Sequence, residues 1–202
     1  ATLVKATLKG GPSQKNEGLW LLPGANLMLR KGDAIDSVNS PGVVIQRIVK
    51  FWPVGGDFLL YQAQLTGPGV TKANNQVVVL LQENGSHLVL ARTGQSMPGM
   101  GPWESLSKIS AVEVNTVSGY YAILGSVKGA PPKSNQGLWT GCGSRGGIVM
   151  PQLRLPKLAL RKGDYYSSAA TPKDMIRSLQ IKPVAEKTGA GGRGLAQAMA
   201  AD

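Results

Sequence analysis

Apolar and polar residues alternate along this chain in short stretches, separated by glycine, proline and asparagine. In residues 3–10, Val4, Ala6 and Leu8 face one way and Lys5, Thr7 and Lys9 the other. That period belongs to a half-buried strand, and Gly10-Gly11-Pro12 ends it. Residues 17–22 read as a second strand, turned by Pro23-Gly24-Ala25-Asn26. Residues 27–30 form a third, stopped at Lys31-Gly32-Asp33, and residues 43–50 a fourth. The pattern then restarts, with Tyr61, Ala63 and Leu65 in the register of Val4, Ala6 and Leu8. Strands at 76–82 and 87–92 flank Asn84-Gly85, a pair that predicts a type I′ hairpin because both turn positions need positive φ. Residues 108–114 alternate without a clear inward face. A third cycle opens at 120–129, where Ile123, Gly125 and Val127 fill the same slots. It continues through strands at 136–140 and 158–161 to Lys162-Gly163-Asp164.

One phrase is therefore written three times. Asn16-Glu17-Gly18-Leu19-Trp20 leads to Arg30-Lys31-Gly32-Asp33, and Asn135-Gln136-Gly137-Leu138-Trp139 leads to Arg161-Lys162-Gly163-Asp164. The middle copy runs from Asn75 to Arg92 and Gln95, with Val79 in place of the tryptophan. The implied units are residues 1–52, 53–115 and 116–185, the last with a glycine-rich basic insertion at 141–157, and then 186–202 as a tail or the start of a further unit. Four short strands per unit of this length predict an all-β, propeller-like repeat array, a partial one given three units. The small middle slot (Ala6, Ala63, Gly125) fits a narrow inner strand with a close neighbour. Open edges in such an array call for a homo-oligomer or another cover. After Asp164, Thr171-Pro172-Lys173-Asp174 has the residues of a helix start, whereas 176–181 matches the fourth strand, and the strand is the favoured reading.

Composition agrees with strands and turns: 27 glycines and 13 prolines, with only 16% charged residues, in 202 residues. The formal charge is +11, and residues 145–193 hold 10 basic against 3 acidic residues. Such a stretch attracts polyanions, which makes nucleic acid or an acidic polysaccharide an alternative partner. The single cysteine, Cys142, excludes an internal disulfide, and no apolar run is long enough for a membrane-spanning helix.

Chemistry-bearing motifs are sparse. There is no nucleophile elbow, zinc-protease helix, phosphate loop or dinucleotide fingerprint, so no catalytic residue, metal or cofactor is expected. Trp20 and Trp139 read as anchors packed between units, with a stacking platform as the alternative. Arg30, Arg92 and Arg161 read as partners of a carboxylate or of turn carbonyls in the next unit. Asp33 and Asp164 read as acceptors for their own turns, and Asn16, Asn75 and Asn135 as side chains bonded to local backbone. The candidate binding surface is the insertion, with Arg145, Arg154 and Lys157, together with Trp103 in the 95–105 loop. A rival enzymatic reading needs Glu104, Glu113 or His87 to share a cleft.

The phrases at 16–20, 30–33, 61–70, 88–94, 135–139 and 161–164 resemble bacterial tandem-repeat surface or exported proteins. In those, an Asn-x-x-Gly-(Val/Leu)-Trp segment and a Leu-x-Ala-Arg-x-Gly-Asp segment recur. The resemblance implies a propeller-like fold, a secreted or cell-surface location, and non-enzymatic binding of protein or glycan as an adhesive or scaffold. The rival function under that resemblance is a glycan-active enzyme with a cleft site.

Overall fold

The structure is a computed structural model that describes residues 2–35, 41–54, 58–82, 84–143, 154–165 and 175–181. Its strands are β1 (Thr2–Thr7), β2 (Glu17–Leu22), β3 (Asn26–Arg30), β4 (Val44–Pro53), β5 (Leu59–Thr66), β6 (Gln76–Leu81), β7 (His87–Arg92), β8 (Ser105–Val114), β9 (Tyr120–Lys128), β10 (Gln136–Cys142) and β11 (Arg154–Arg161). All described pairings are antiparallel, and they form three meanders: β1-β2-β3, β4-β5-β6-β7 and β8-β9-β10-β11. No described helix is long and apolar enough to cross a membrane.

The propeller-like array expected from the repeat length is corrected here. The three sheets are small, separate and open, each ending in edge strands, and the first has only three strands. The chain gathers into two compact units, residues 1–53 with 57–95 and residues 54–56 with 96–202. The repeat specifies which strands pair, because each turn and each apolar slot recurs. It does not specify closure, which in a propeller typically needs four or more such units around a ring.

In the first unit, β4 leaves the first sheet and becomes the outer strand of the second. The turn Lys31-Gly32-Asp33 hands it over: Gly32 N donates to Ile45 O (2.8 Å), and Ile45 N donates to Asp33 O (3.0 Å). Further along, Ile48 N donates to Glu17 Oε1 (2.8 Å), and Lys5 Nζ donates to Ile48 O (2.7 Å) while pairing with Glu17 (3.1 Å). Beneath these bonds lies one core containing Leu19, Leu29, Ile45, Ile48, Tyr61 and Leu65, each at most 1% exposed.

Two bulges interrupt β4, at Ile45/Arg47 and Ile48/Lys50, and two interrupt β8, at Leu106/Lys108 and Ile109/Ala111. Each bulge sets two residues against one, so the inward positions fall every third residue: Ile45, Ile48, Phe51 and Leu106, Ile109, Val112. This explains why residues 108–114 have no legible alternation. At 82–86 the expected type I′ hairpin is replaced. Among the described turn residues only Gly85 has positive φ (79°), Gly85 N bonds Gln82 O (2.9 Å) and Gln82 N bonds Ser86 O (3.0 Å). That is the longer loop with a glycine bulge, and Asn84 instead accepts from Ser86 N (3.0 Å).

In the second unit, β11 leads into Lys162-Gly163-Asp164, and the same handover follows. Gly163 N donates to Ile176 O (2.8 Å) and Ile176 N to Asp164 O (2.9 Å), with a bridge between Tyr165 and Met175. Residues 175–181 thus begin as β4 begins, although no described strand pairs along them. The helix-start reading at 171–174 and the tail at 186–202 lie outside the described residues.

Candidate functional site

The repeated side chains hold the turns together. Arg30, Arg92 and Arg161 each donate Nε to the carbonyl just before the repeated asparagine: Lys15 O (2.7 Å), Asn74 O (3.1 Å) and Ser134 O (2.9 Å). These carbonyls belong to the same repeat as the arginine, not to the next one as the sequence reading had it. Burial lowers the Arg92 pKa below the usual arginine value. Asp33 and Asp164 each accept, through Oδ2, the backbone N–H of Arg30 or Arg161 (2.6 Å). Lys31 and Lys162 direct Nζ onto Ser13 O (2.5 Å) and Pro132 O (2.6 Å). In the middle copy Thr93 stands in for that lysine, and its Oγ1 accepts from Gln76 N (3.1 Å). At Asn16, Asn75 and Asn135 the recurring bond uses the backbone carbonyl, which accepts from Leu8, Leu65 and Val127 N. The Asn135 side chain also accepts from Lys162 Nζ (3.3 Å).

Trp20 and Trp139 lie back along their own strands, over the glycine two residues earlier. A Cβ at Gly18 would come within 2.8 Å of the Trp20 ring, and one at Gly137 within 2.8 and 2.9 Å of Trp139 Cζ2 and Cζ3. The middle copy changes both partners at once, to Val77 and Val79, both fully buried. Trp139 is 1% exposed, whereas Trp20 is half-buried.

Trp139 also pins the loop that precedes β8. Met97-Pro98-Gly99-Met100 has proline second and a glycine with φ 81° third, which is the chemistry of a type II turn, and Met100 N closes it on Met97 O (3.1 Å). Gly101-Pro102-Trp103-Glu104 forms a second turn, closed by Glu104 N on Gly101 O (3.1 Å). Trp139 Nε1 donates to Pro98 O (2.8 Å). Gly99 sits on Leu158 of β11, where a Cβ would approach to 2.7 Å. Glu104 reaches back to Gly101 N (2.8 Å) and across to Arg161 Nη2 (2.6 Å). The Arg161 hydrogen bond, then the Gly101 amide, hold the Glu104 pKa below the usual carboxylate value against the opposing effect of burial.

Trp103 occupies the corner of this pinned loop and is 90% exposed. Of its expected companions, Lys157 is exposed on β11, next to the Leu158 that supports Gly99. Arg145 and the glycine-rich stretch from 144 onward lie outside the described residues, as does the side chain of Arg154. Of the basic residues of 145–193 whose side chains are described, Arg161 is ion-paired with Glu104, Lys162 directs Nζ onto Pro132 O, and Lys157 and Arg177 are exposed.

The groups of the enzymatic reading have separate surroundings. His87 Nδ1 meets Tyr61 Oη at 3.3 Å in the first unit, and burial, then the Asp33 charge, raise the Tyr61 pKa. Glu104 is ion-paired in the second unit, where Glu113 stands on β8 opposite Ala122. Cys142 is fully buried, with Sγ 3.6 Å from Ser118 O. Among the described residues no three His, Cys, Asp or Glu gather in a way that holds a metal ion.

No local pattern pairs Glu104 with Arg161, which stand 57 positions apart. The Pro-Gly and Gly-Pro pairs at 98–102 are the signal that a rigid double turn stands there. Among curated proteins and solved structures nothing matches this chain. A family model does match, over residues 2–154, so the chain belongs to that family, described as a family of unknown function (DUF7453).

Proposed function

We propose that this protein is a non-enzymatic repeat domain that binds glycan through Trp103. The observation that carries the reading is an indole 90% exposed on a loop fixed by Trp139, Leu158 and Arg161. An exposed tryptophan on a mobile loop loses conformational freedom when it binds. One on a pinned double turn is already ordered, so stacking a sugar ring costs less. The indole face supplies a flat apolar surface and its N–H a donor. The repeated arginines, lysines and aspartates support the non-enzymatic part, since each holds a turn. The exported location that the resemblance implies has no counterpart in the fold or in the family match, and the reading does not depend on it.

The test is affinity electrophoresis of the wild type, Trp103→Ala and Trp103→Phe through gels containing neutral and acidic polysaccharides. Retardation of the wild type by at least one glycan is expected, with retention by Phe and at least a tenfold weakening by Ala. Retardation by none of the panel, or equal retardation of wild type and Trp103→Ala, overturns the reading. Retardation only by acidic glycans, abolished by moderate salt and indifferent to Trp103, assigns binding to charge instead.

A further inference from the structure

Among the described residues no strand lies outside β1 in the first sheet, and residues 175–181 begin as an outer strand begins but pair with no described sheet. We infer that residues 175–181 of one copy of this chain add to the free edge of β1 in a second copy, giving head-to-tail association.

The template is internal. In both four-stranded sheets the outer strand lies beside the strand bearing the small slot: Ile45 opposite Leu65 and Ile48 opposite Ala63, then Leu106 opposite Val127 and Ile109 opposite Gly125. In the first sheet the equivalent inner strand is β1, with Ala6 and Leu8 in those slots, and no described strand pairs with its outer side.

Residues 175–181 carry the matching half. Ile176 repeats both backbone bonds of Ile45, to Gly163 and Asp164 as Ile45 bonds Gly32 and Asp33. Leu179 N donates to Gln136 Oε1 (3.2 Å), as Ile48 N donates to Glu17 Oε1 (2.8 Å). Glu17 and Gln136 occupy the same repeat position.

Burial differs between the complete copy and the incomplete ones. Ile45 and Ile48 are 1% and 0% exposed, but Ile176 and Leu179 are only half-buried. Tyr61 and Leu65 are 0% and 1% exposed in a core they share with Leu19 and Leu29 of the first sheet as well as with Ile45 and Ile48, whereas Val4 and Leu8 are 37% and 44% exposed. Among the described residues, Ile176 and Leu179 lack the strand-to-strand cover that Ile45 and Ile48 have against Leu65 and Ala63. The template sets the register: Ile176 opposite Leu8 and Leu179 opposite Ala6.

The backbone is also available. Leu8 N bonds Asn16 O (2.7 Å), and bonding alternates along an antiparallel pair. The N–H groups of Leu3, Lys5 and Thr7 therefore point away from β2, toward the incoming strand. One added strand of this length lies at the small end of specific interfaces, below about 1,200 Å² in total, so the association depends on concentration. A donor at one end and an acceptor at the other make the contact heterologous, able to extend beyond two copies.

The experiment is analytical ultracentrifugation of the 202-residue chain from micromolar to near-millimolar concentration, with two complementary variants. Thr7→Pro blocks the acceptor edge, because proline has no N–H to offer and an outward edge position tolerates it. Leu179→Asp blocks the donor, with Ile176→Lys as a second donor variant. The wild-type mass is expected to rise with concentration, and amide exchange at Leu3 and Lys5 to slow at least tenfold. Each variant, melting as the wild type does, is expected to remain a single chain. An equimolar mixture of an acceptor and a donor variant is expected to give a two-chain species and nothing larger, since one intact pair of ends remains. A wild type that stays monomeric throughout overturns the inference, whether or not its β1 amides are protected. So does a mixture that does not associate, or a blocked variant that assembles as the wild type does.

Discussion

Replacing Gly137 by alanine tests the claim that each Gly-x-Trp phrase is one packing device. The new Cβ would stand 2.8 and 2.9 Å from Trp139 Cζ2 and Cζ3 and closer still to Cη2, where ordinary contact begins at 3.4 Å. The ring must therefore shift by more than half an ångström. Trp139 is 1% exposed, and its Nε1 is tied to Pro98 O at 2.8 Å, so the shift compresses the core and stretches that bond. Overpacking costs about 1–3 kcal/mol, and the lost hydrogen bond costs about 1 kcal/mol. Alanine's better strand behaviour offsets about 0.5–1 kcal/mol. The net expectation is a loss of about 2 kcal/mol, measured by urea unfolding followed by near-ultraviolet circular dichroism. Gly18→Ala is the internal control: Trp20 is half-buried, its ring can swing toward solvent, and the loss should stay within about 1 kcal/mol. The middle copy supplies a second control. Gly137→Val combined with Trp139→Val recreates the Val77/Val79 pair and should be more stable than Gly137→Val alone by at least about 1 kcal/mol. A Gly137→Ala protein that unfolds at the wild-type urea concentration, or a Gly18→Ala loss as large as that at Gly137, would refute the reasoning.

Two further outcomes follow from the turns. Glu104→Gln should cost about 2 kcal/mol at neutral pH, because it weakens a charge-assisted bond to Arg161 in a place only 13% exposed. Since the folded-state pKa of Glu104 is depressed, its contribution is complete above the unfolded value of about 4.3 and fades as pH falls through the lower folded value. The gap between wild type and Glu104→Gln, followed by denaturant unfolding from pH 7 to 3, should therefore narrow in acid; a constant gap contradicts it. Arg92→Lys keeps the charge but loses the Nε donor that reaches Asn74 O at 3.1 Å from an arginine only 8% exposed. A loss of about 1–2 kcal/mol is expected, and an unchanged unfolding midpoint would show that charge alone mattered.

The strands were legible in the chain, because side-chain period and turn residues are local properties. It placed β1, β5 and β9 as equivalent, and it marked Arg30, Arg92, Arg161, Asp33 and Asp164 as parts of recurring turns. It left the inward face of β8 open, because two bulges there turn a period of two into a period of three. It also assigned the turn at Asn84 to the wrong class, since Asn84-Gly85 alone does not distinguish a two-residue loop from a longer one with a glycine bulge.

The open sheets, the hold of Arg161 on Glu104 and the fixing of the Trp103 loop by Trp139 arise from contacts made in three dimensions. Those contacts join residues 41 and 57 positions apart, and no local pattern encodes them. A repeat specifies the same bonds in every copy. Whether a copy finds a neighbour to complete its sheet is a property of its surroundings, which is why Ile45 is buried and Ile176 only partly so.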